Sequence, residues 1–246
     1  MPFSQKIRGA SFRDEYIANS DDFMVADTND AFLIPPKSPM LGDCLTVVLD
    51  LDETLIYGRE NALYVRPHIQ ELLEFLAAHC ETVVWTRAVH HYADAVIHQI
   101  DAAKAVDHLI CRHPTWCTHT NVKDLHLLGR DLDSIIIFEN TPDCIRGFEG
   151  NGVLVEDYTG GELEDTTLLS VLHLLREVVD TRRRYPSLSI SECLARAQLA
   201  QKQHVPTDEG DSIQCYCLGR MEETTAPLHW RGPQQHCARL STLLQS

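Results

Sequence analysis

An α/β fold built on a parallel sheet, with helices on both faces, is predicted by three features of this sequence. The first is a set of apolar runs, Leu45 to Leu49, Thr82 to Trp85 and Ser134 to Phe138, that do not alternate with polar residues. Strands buried on both faces need that pattern. The second is that stretches with helical spacing stand between and around these runs. The third is that each run ends on polar residues: Asp50, Thr86, and Glu139 with Asn140. Right-handed crossovers bring such ends to one edge of a parallel sheet, where α/β folds bind their ligands.

Residues 1–40 mix charges without sustained periodicity and close on Pro35-Pro36-Lys37-Ser38-Pro39, so they read as an N-terminal arm with a stiff connector that lies over the core. The core domain is expected to span 41–185. After the Asp50 strand, Ile56 to Val65 holds Gly58 and Asn61 between short β-prone pieces, which predicts a hairpin flap. Pro67 opens a helix with Ile69, Leu72, Leu73 and Leu76 on one face. A second helix is expected over His91 to Asp101, with Tyr92, Val96 and Ile100 aligned, then a short strand at Leu109 to Cys111. Val153 to Val155 reads as a fourth strand, and Leu168, Val171, Leu172 and Leu175 as the face of a helix running to about Val179. Residues 186–246 read as a C-terminal extension. Its Ser189–Glu192 capping box predicts a helix to about Gln203, and the polar residues 205–246 a loosely ordered tail.

Composition narrows the function. The 246 residues carry 21 basic against 36 acidic side chains, a net charge of −15. Phosphate backbones and anionic lipid surfaces both demand clustered Lys and Arg, so neither nucleic acid nor a polybasic membrane contact is expected. No run approaches the ~18 apolar residues of a membrane span. Nine scattered cysteines fit reduced thiols better than a disulfide framework. No secretory apolar segment follows Met1. Lys6, Arg8 and Arg13 give a faint presequence character that acidic residues soon end. A nuclear or cytoplasmic location is therefore expected, with a mitochondrial one ranked behind it.

The string TVVLDLDETLIYG, Thr46 to Gly58, carries the chemistry. Two carboxylates beyond a buried strand make a hard oxygen site suited to Mg²⁺. The Asp-x-Asp-x-Thr pattern of Asp50, Asp52 and Thr54 resembles the nucleophile loop of the haloacid-dehalogenase phosphotransferases. DLDETL resembles their protein-phosphatase branch, the small C-terminal-domain phosphatases and LIM-interactor-interacting factors. WTRAVHHYADAV, from Trp85, and NVKDLHLLGRDLDSIIIFENTP, from Asn121, resemble that branch's later motifs.

The resemblance implies a role for each matching position. Asp50 is the nucleophile and Asp52 the general acid and base; Thr86 contacts the phosphate and Lys123 neutralises it. Thr54, Tyr92 and Arg112 stand on the substrate side. Asn140, the Asp50 carboxylate and the Asp52 carbonyl hold Mg²⁺, joined by Glu139 through a longer side chain where the family usually has Asp. Arg87-Ala88 stands where the family often has Ala-Ser, and Arg87 reads as a surface charge.

Only 32 positions separate Thr54 from Thr86, and 37 separate Thr86 from Lys123, which leaves no room for a large cap domain. An open cleft suits the side chain of another protein. The implied function is thus a Mg²⁺-dependent protein serine/threonine phosphatase acting through an aspartyl-phosphate. Its partner would be a phosphoprotein, the RNA polymerase II C-terminal domain among the candidates. The alternative is a catalytically weak or inactive scaffold or receptor of the same fold, as in mitochondrial import or transcription-factor binding.

Other features read as structural. His90-His91 with His98 lacks the acids or thiols of a metal set. Cys215-x-Cys217 with His229, His236 and Cys237 fits no common zinc spacing. Arg182-Arg183-Arg184 suits a helix C-terminus.

Overall fold

The computed structural model describes residues 6–7, 32–58, 62–117 and 120–220. In chain order the strands and helices are β1 (Lys6–Ile7), β2 (Leu45–Leu49), β3 (Ile56–Tyr57), β4 (Leu63–Val65), α1 (Ile69–His79), β5 (Cys80–Trp85) and α2 (His90–Ile100). They continue with β6 (His108–Ile110), β7 (Ile135–Glu139), β8 (Gly152–Leu154), α3 (Thr167–Arg184), α4 (Ile190–Leu194), β9 (Ala200–Pro206) and β10 (Ser212–Leu218). Seven of these strands form one sheet in the order β6-β5-β2-β7-β8-β10-β9. Every neighbouring pair is parallel except β10 with β9.

The apolar runs fill both faces, as their composition requires. Leu45, Val47 and Leu49 of β2 point to a core shared with Leu72 and Leu76 of α1, Val96 of α2 and Val171 of α3. Val48 points the other way, with Val83, Ile135 and Ile137, onto Trp116, Leu125, Leu128 and Ile145. The α-helices therefore lie on one face, and 3₁₀ turns at Leu125–Leu128 and Pro142–Ile145 help cover the other. Crossover handedness accounts for this division. The chain steps from β2 to β5 to β6 in one direction, then returns to β7 and β8 in the other, so its connections change face.

The C-terminal extension differs from expectation. The Ser189–Glu192 capping box forms, but α4 stops at Leu194 instead of continuing to about Gln203. Residues 200–218, expected to end the helix and begin a loose tail, form a hairpin whose β10 pairs with β8, Tyr216 opposite Val153. Ile213, Cys215 and Cys217 alternate into the second core, and Tyr216 into the first. Gly210, with φ of 85°, makes the turn between the strands. The expected strand at Leu109–Cys111 sits one residue earlier, at His108–Ile110.

Just before the connector, whose prolines are exposed, the chain touches the core. Ile34 is buried in the second core, and the Leu33 amide donates to the Leu127 carbonyl at 2.7 Å. Strand β1 joins β4 and β3, giving the flap a third strand. Below the sheet, at its N-terminal edge, Glu81 is wholly buried. Its carboxylate accepts from Arg130 at 2.9 Å (Nε) and 2.7 Å (Nη2), and from the Thr46 hydroxyl at 2.7 Å. His108 lies 3.4 Å away. Burial works against the charge, yet Arg130, His108 and Thr46 hold this carboxyl well below the ordinary glutamate range.

Candidate active site

Strand β2 delivers Asp50 at its C-terminal end, and the Asp50 amide continues the ladder by donating to the Phe138 carbonyl at 3.0 Å. The chain then turns sharply. Glu53 takes the left-handed conformation, φ 65°, while the Leu55 and Ile56 amides both donate back to the Leu51 carbonyl. Leu51 and Leu55 are fully buried and anchor the loop from below. The acids alternate with these leucines because the loop needs apolar feet as well as polar tips.

Loop contacts gather the predicted residues around Asp50. The Lys123 ammonium, wholly buried, donates to Asp50 Oδ1 at 2.7 Å and to Glu139 Oε2. Tyr92 Oη donates to Asp52 Oδ1 at 3.0 Å, and Thr86 Oγ1 stands 3.5 Å from Asp52 Oδ2. Thr54 Oγ1 lies 3.5 Å from Asn140 Oδ1. Arg112 is joined only through its backbone, which donates to the Ala88 carbonyl at 3.0 Å. Its side chain is exposed.

Charge balance sets the electrostatics. Burial and the neighbouring Asp50 charge push the Asp52 carboxyl up to about 6, partly offset by the Tyr92 hydrogen bond. Burial and Asp50 likewise raise Glu139, with Lys123 opposing. For Lys123, burial disfavours the cation, but Asp50 and Glu139 outweigh it and hold the ammonium charged above its ordinary range. Two carboxylates thus share one ammonium, and a third stands beside them. Such an excess of negative charge on hard oxygens fits a divalent cation.

The donor set can be tested residue by residue. Asp50 Oδ2 receives no hydrogen bond, and Asn140 Oδ1 has only the long contact with Thr54. Both suit Mg²⁺, together with the Asp52 carbonyl. Glu139 suits it less well. One of its oxygens accepts from Lys123, and the other from the Asn140 and Thr141 amides, each at 3.2 Å.

Two site residues escaped the sequence reading. Asp157 accepts from Asn140 Nδ2 at 3.0 Å and so aims the amide oxygen toward the centre. It lies just beyond β8, so the rule that singled out Asp50 and Asn140 points to it as well. Arg66, fully buried, donates through Nη1 to the Thr54 carbonyl at 3.0 Å, pairs with Asp165 at 3.0 Å and stacks on Tyr158. It clamps the loop after Asp50 to the start of α3, and no local pattern marks it. The Cys215–Cys217 metal reading involves His229, His236 and Cys237, which lie outside the described residues. Cys215 and Cys217 themselves are buried strand residues. No helix among the described residues is long and apolar enough to cross a membrane.

Residues 45–184, more than half of the chain, match the family described as NLI interacting factor-like phosphatase. The chain belongs to this family. The matched segment contains every residue of the constellation. The Dictyostelium discoideum protein named "Probable C-terminal domain small phosphatase" is 30% identical over 168 residues, 60% of this chain and 55% of that protein. The human carboxy-terminal domain RNA polymerase II polypeptide A small phosphatase 1 is 29% identical over 168 residues, 60% of this chain and 64% of the relative. The chain spans between 35% and 65% of the length of the curated relatives it matches. Among solved structures it is similar to the fission yeast RNA polymerase II CTD phosphatase Fcp1, at 14% identity and a TM-score of 0.48, covering 61% of this chain and 69% of that one.

Proposed function

We propose that this chain is a Mg²⁺-dependent phosphatase of phosphoserine or phosphothreonine in proteins, acting through a phosphoaspartate on Asp50. The observation that carries the reading is the Asp50 carboxylate, held 2.7 Å from a buried ammonium with a second carboxyl, raised toward neutrality, beside it. A nucleophile must be ionised and a leaving-group donor must hold a proton, and these neighbouring acids are set for those opposite tasks.

In the first step an Asp50 oxygen attacks phosphorus while the bond to the substrate oxygen breaks and Asp52 gives that oxygen its proton. In the second, water attacks the phosphoaspartate, Asp52 takes a proton from it, and inorganic phosphate leaves with Asp50 regenerated. Lys123 donates to Asp50 and would offset charge on the transferring group, while Tyr92 and Thr86 fix the Asp52 carboxyl. Held by Asp50, the Asp52 carbonyl and Asn140, Mg²⁺ would neutralise charge on the phosphoryl oxygens.

The short flap, and the lack of room for a large cap domain between Thr54 and Lys123, support a protein side chain as substrate. The RNA polymerase II C-terminal domain named in the human relative is one candidate. A nuclear or cytoplasmic setting fits such a substrate, and the domain would comprise 41–185 with the hairpin added to its sheet. The test is phosphate release from an aryl phosphate and from phosphoserine peptides, with Mg²⁺, with EDTA, and with Asp50→Asn. Metal-dependent turnover lost in the variant supports the reading. No turnover from folded protein would sink it in favour of a scaffold.

A further inference from the structure

A cavity of about 280 Å³ adjoins the site on the sheet face that carries the 3₁₀ turns, and its walls come from the site's own loops. Arg87 follows Thr86, Asn121 and Val122 precede Lys123, and Asp143 follows Pro142. Asp208 and Glu209, on the turn between β9 and β10, form its outer rim. A substrate chain whose phosphate reached Asp50 would have this space beside it.

The charges in the cavity are unequally matched. Arg146 donates to Asp143 at 2.8 Å and to both oxygens of Asp211 at 2.9 Å, and stands 3.5 Å from Glu209. It is saturated. Asp143 is taken by Arg146 and by the Asp208 amide. Arg87 is exposed and has no hydrogen bond, ion pair or ring contact.

Unpaired arginines are scarce in this acidic chain. Among the described residues only Arg87, Arg112 and Arg184 lack a partner, while Arg66, Arg130, Arg146, Arg176, Arg182, Arg183, Arg196 and Arg220 all have one. With 36 acids available, a guanidinium left open between Thr86 and a polar cavity has a counter-charge still to meet. A planar fork of donors suits phosphate or carboxylate.

We propose that this cavity seats the substrate chain next to its phosphorylated residue, and that Arg87 reads a second anionic group there, a phosphate or a carboxylate. The inference rests on the phosphatase reading and narrows it to substrates that are acidic or multiply phosphorylated around the target. The rival cue is Asp208, the lining carboxylate without a side-chain partner, which would select a basic neighbour instead.

The test uses phosphoserine peptides that differ only in the residues flanking the target: a second phosphoserine, aspartate, alanine or arginine. The readout is the ratio of kcat/KM values within each protein. The native protein should prefer the anionic peptides over the alanine peptide by about tenfold, the size of one charge-assisted hydrogen bond. Arg87→Ala should bring that ratio near one, Arg87→Glu should turn it toward the arginine peptide, and Arg184→Ala should leave it as in the native protein. A flat native profile, a preference that survives Arg87→Ala, or a basic preference removed by Asp208→Ala would each overturn the inference. The phosphoserine and aspartate arms tell phosphate from carboxylate. Binding of the same peptides to Asp50→Asn separates the two readings. An Arg87-dependent preference without turnover in the native protein keeps this inference and sinks the phosphatase. Turnover without the preference does the reverse.

Discussion

Two buried charge clusters stand at opposite ends of the same sheet, and they are built on opposite principles. Below the sheet, Glu81 meets a bidentate guanidinium, a hydroxyl and a histidine, and its carboxyl titrates below the ordinary range. Above it, Asp50 and Glu139 share one ammonium with Asp52 beside them, and the Asp52 and Glu139 carboxyls titrate above their range. A buried acid that is fully answered joins structure together. Acids left short of positive charge cost stability in the resting protein, and that arrangement is typical of sites that meet a cation or a phosphoryl group.

The strongest way to break this contrast is to neutralise one member at the top. Asp50→Asn should lower Mg²⁺-dependent phosphate release by about three orders of magnitude or more, since the proposed phosphoaspartate forms on that side chain. Its thermal midpoint should stay level or rise, because one of three crowded acids is gone. A clear drop in that midpoint would mean the upper cluster is structural like the lower.

At the bottom the outcomes should reverse. Arg130→Ala leaves Glu81 buried without its main counter-charge, which should cost about 3–5 kcal/mol in urea unfolding. Turnover per folded molecule should hardly change. A loss under about 1 kcal/mol would show that His108, Thr46 and Lys37 suffice to hold the acid.

Acid titration sharpens the same comparison. The folded-state carboxyl of Glu81 lies below its ordinary value of 4.5, so its contribution to stability is present above that value and fades as pH falls beneath it. The native protein should therefore lose its advantage over Glu81→Gln as pH is lowered through and below the ordinary glutamate range. Unfolding measured across that range would refute the assignment if the gap between the two proteins stayed constant.

The smallest effect concerns how the upper cluster is aimed. A Cβ on Gly58 would lie 2.2 Å from Tyr92 Oη, the hydroxyl that holds Asp52. Gly58→Ala should move that hydroxyl and reduce turnover about tenfold, and Tyr92→Phe by a similar or smaller factor, with folding stability changed by under about 1 kcal/mol in the phenylalanine variant. Equal turnover in all three proteins would show that Asp52 needs no such support.

Much of this site was legible before any coordinates. Asp50, Asp52, Thr86, Lys123 and Asn140 were placed by strand ends and motif order, and the structure brings them together. Asp157 was legible by the same rule but was passed over. Arg66 was not, because its value depends on Thr54, Asp165 and Tyr158, which lie far away in sequence. The function implied for Glu139, a part in holding metal, left out what its longer side chain does, which is to reach Lys123 and two backbone amides.

The sequence by itself determined the parallel sheet, the helices and the acids at the sheet's edge. Each of these follows from local composition: apolar runs must be buried on both faces, and polar residues beyond them must emerge where the strands end. Only the tertiary structure decided that residues 200–218 are a hairpin in that sheet. Ala200 to Pro206 has two buried residues in seven, too weak a pattern to declare a strand. It becomes one because β10 pairs with β8 on one side and offers β9 its other edge, and an edge strand needs a partner more than a pattern.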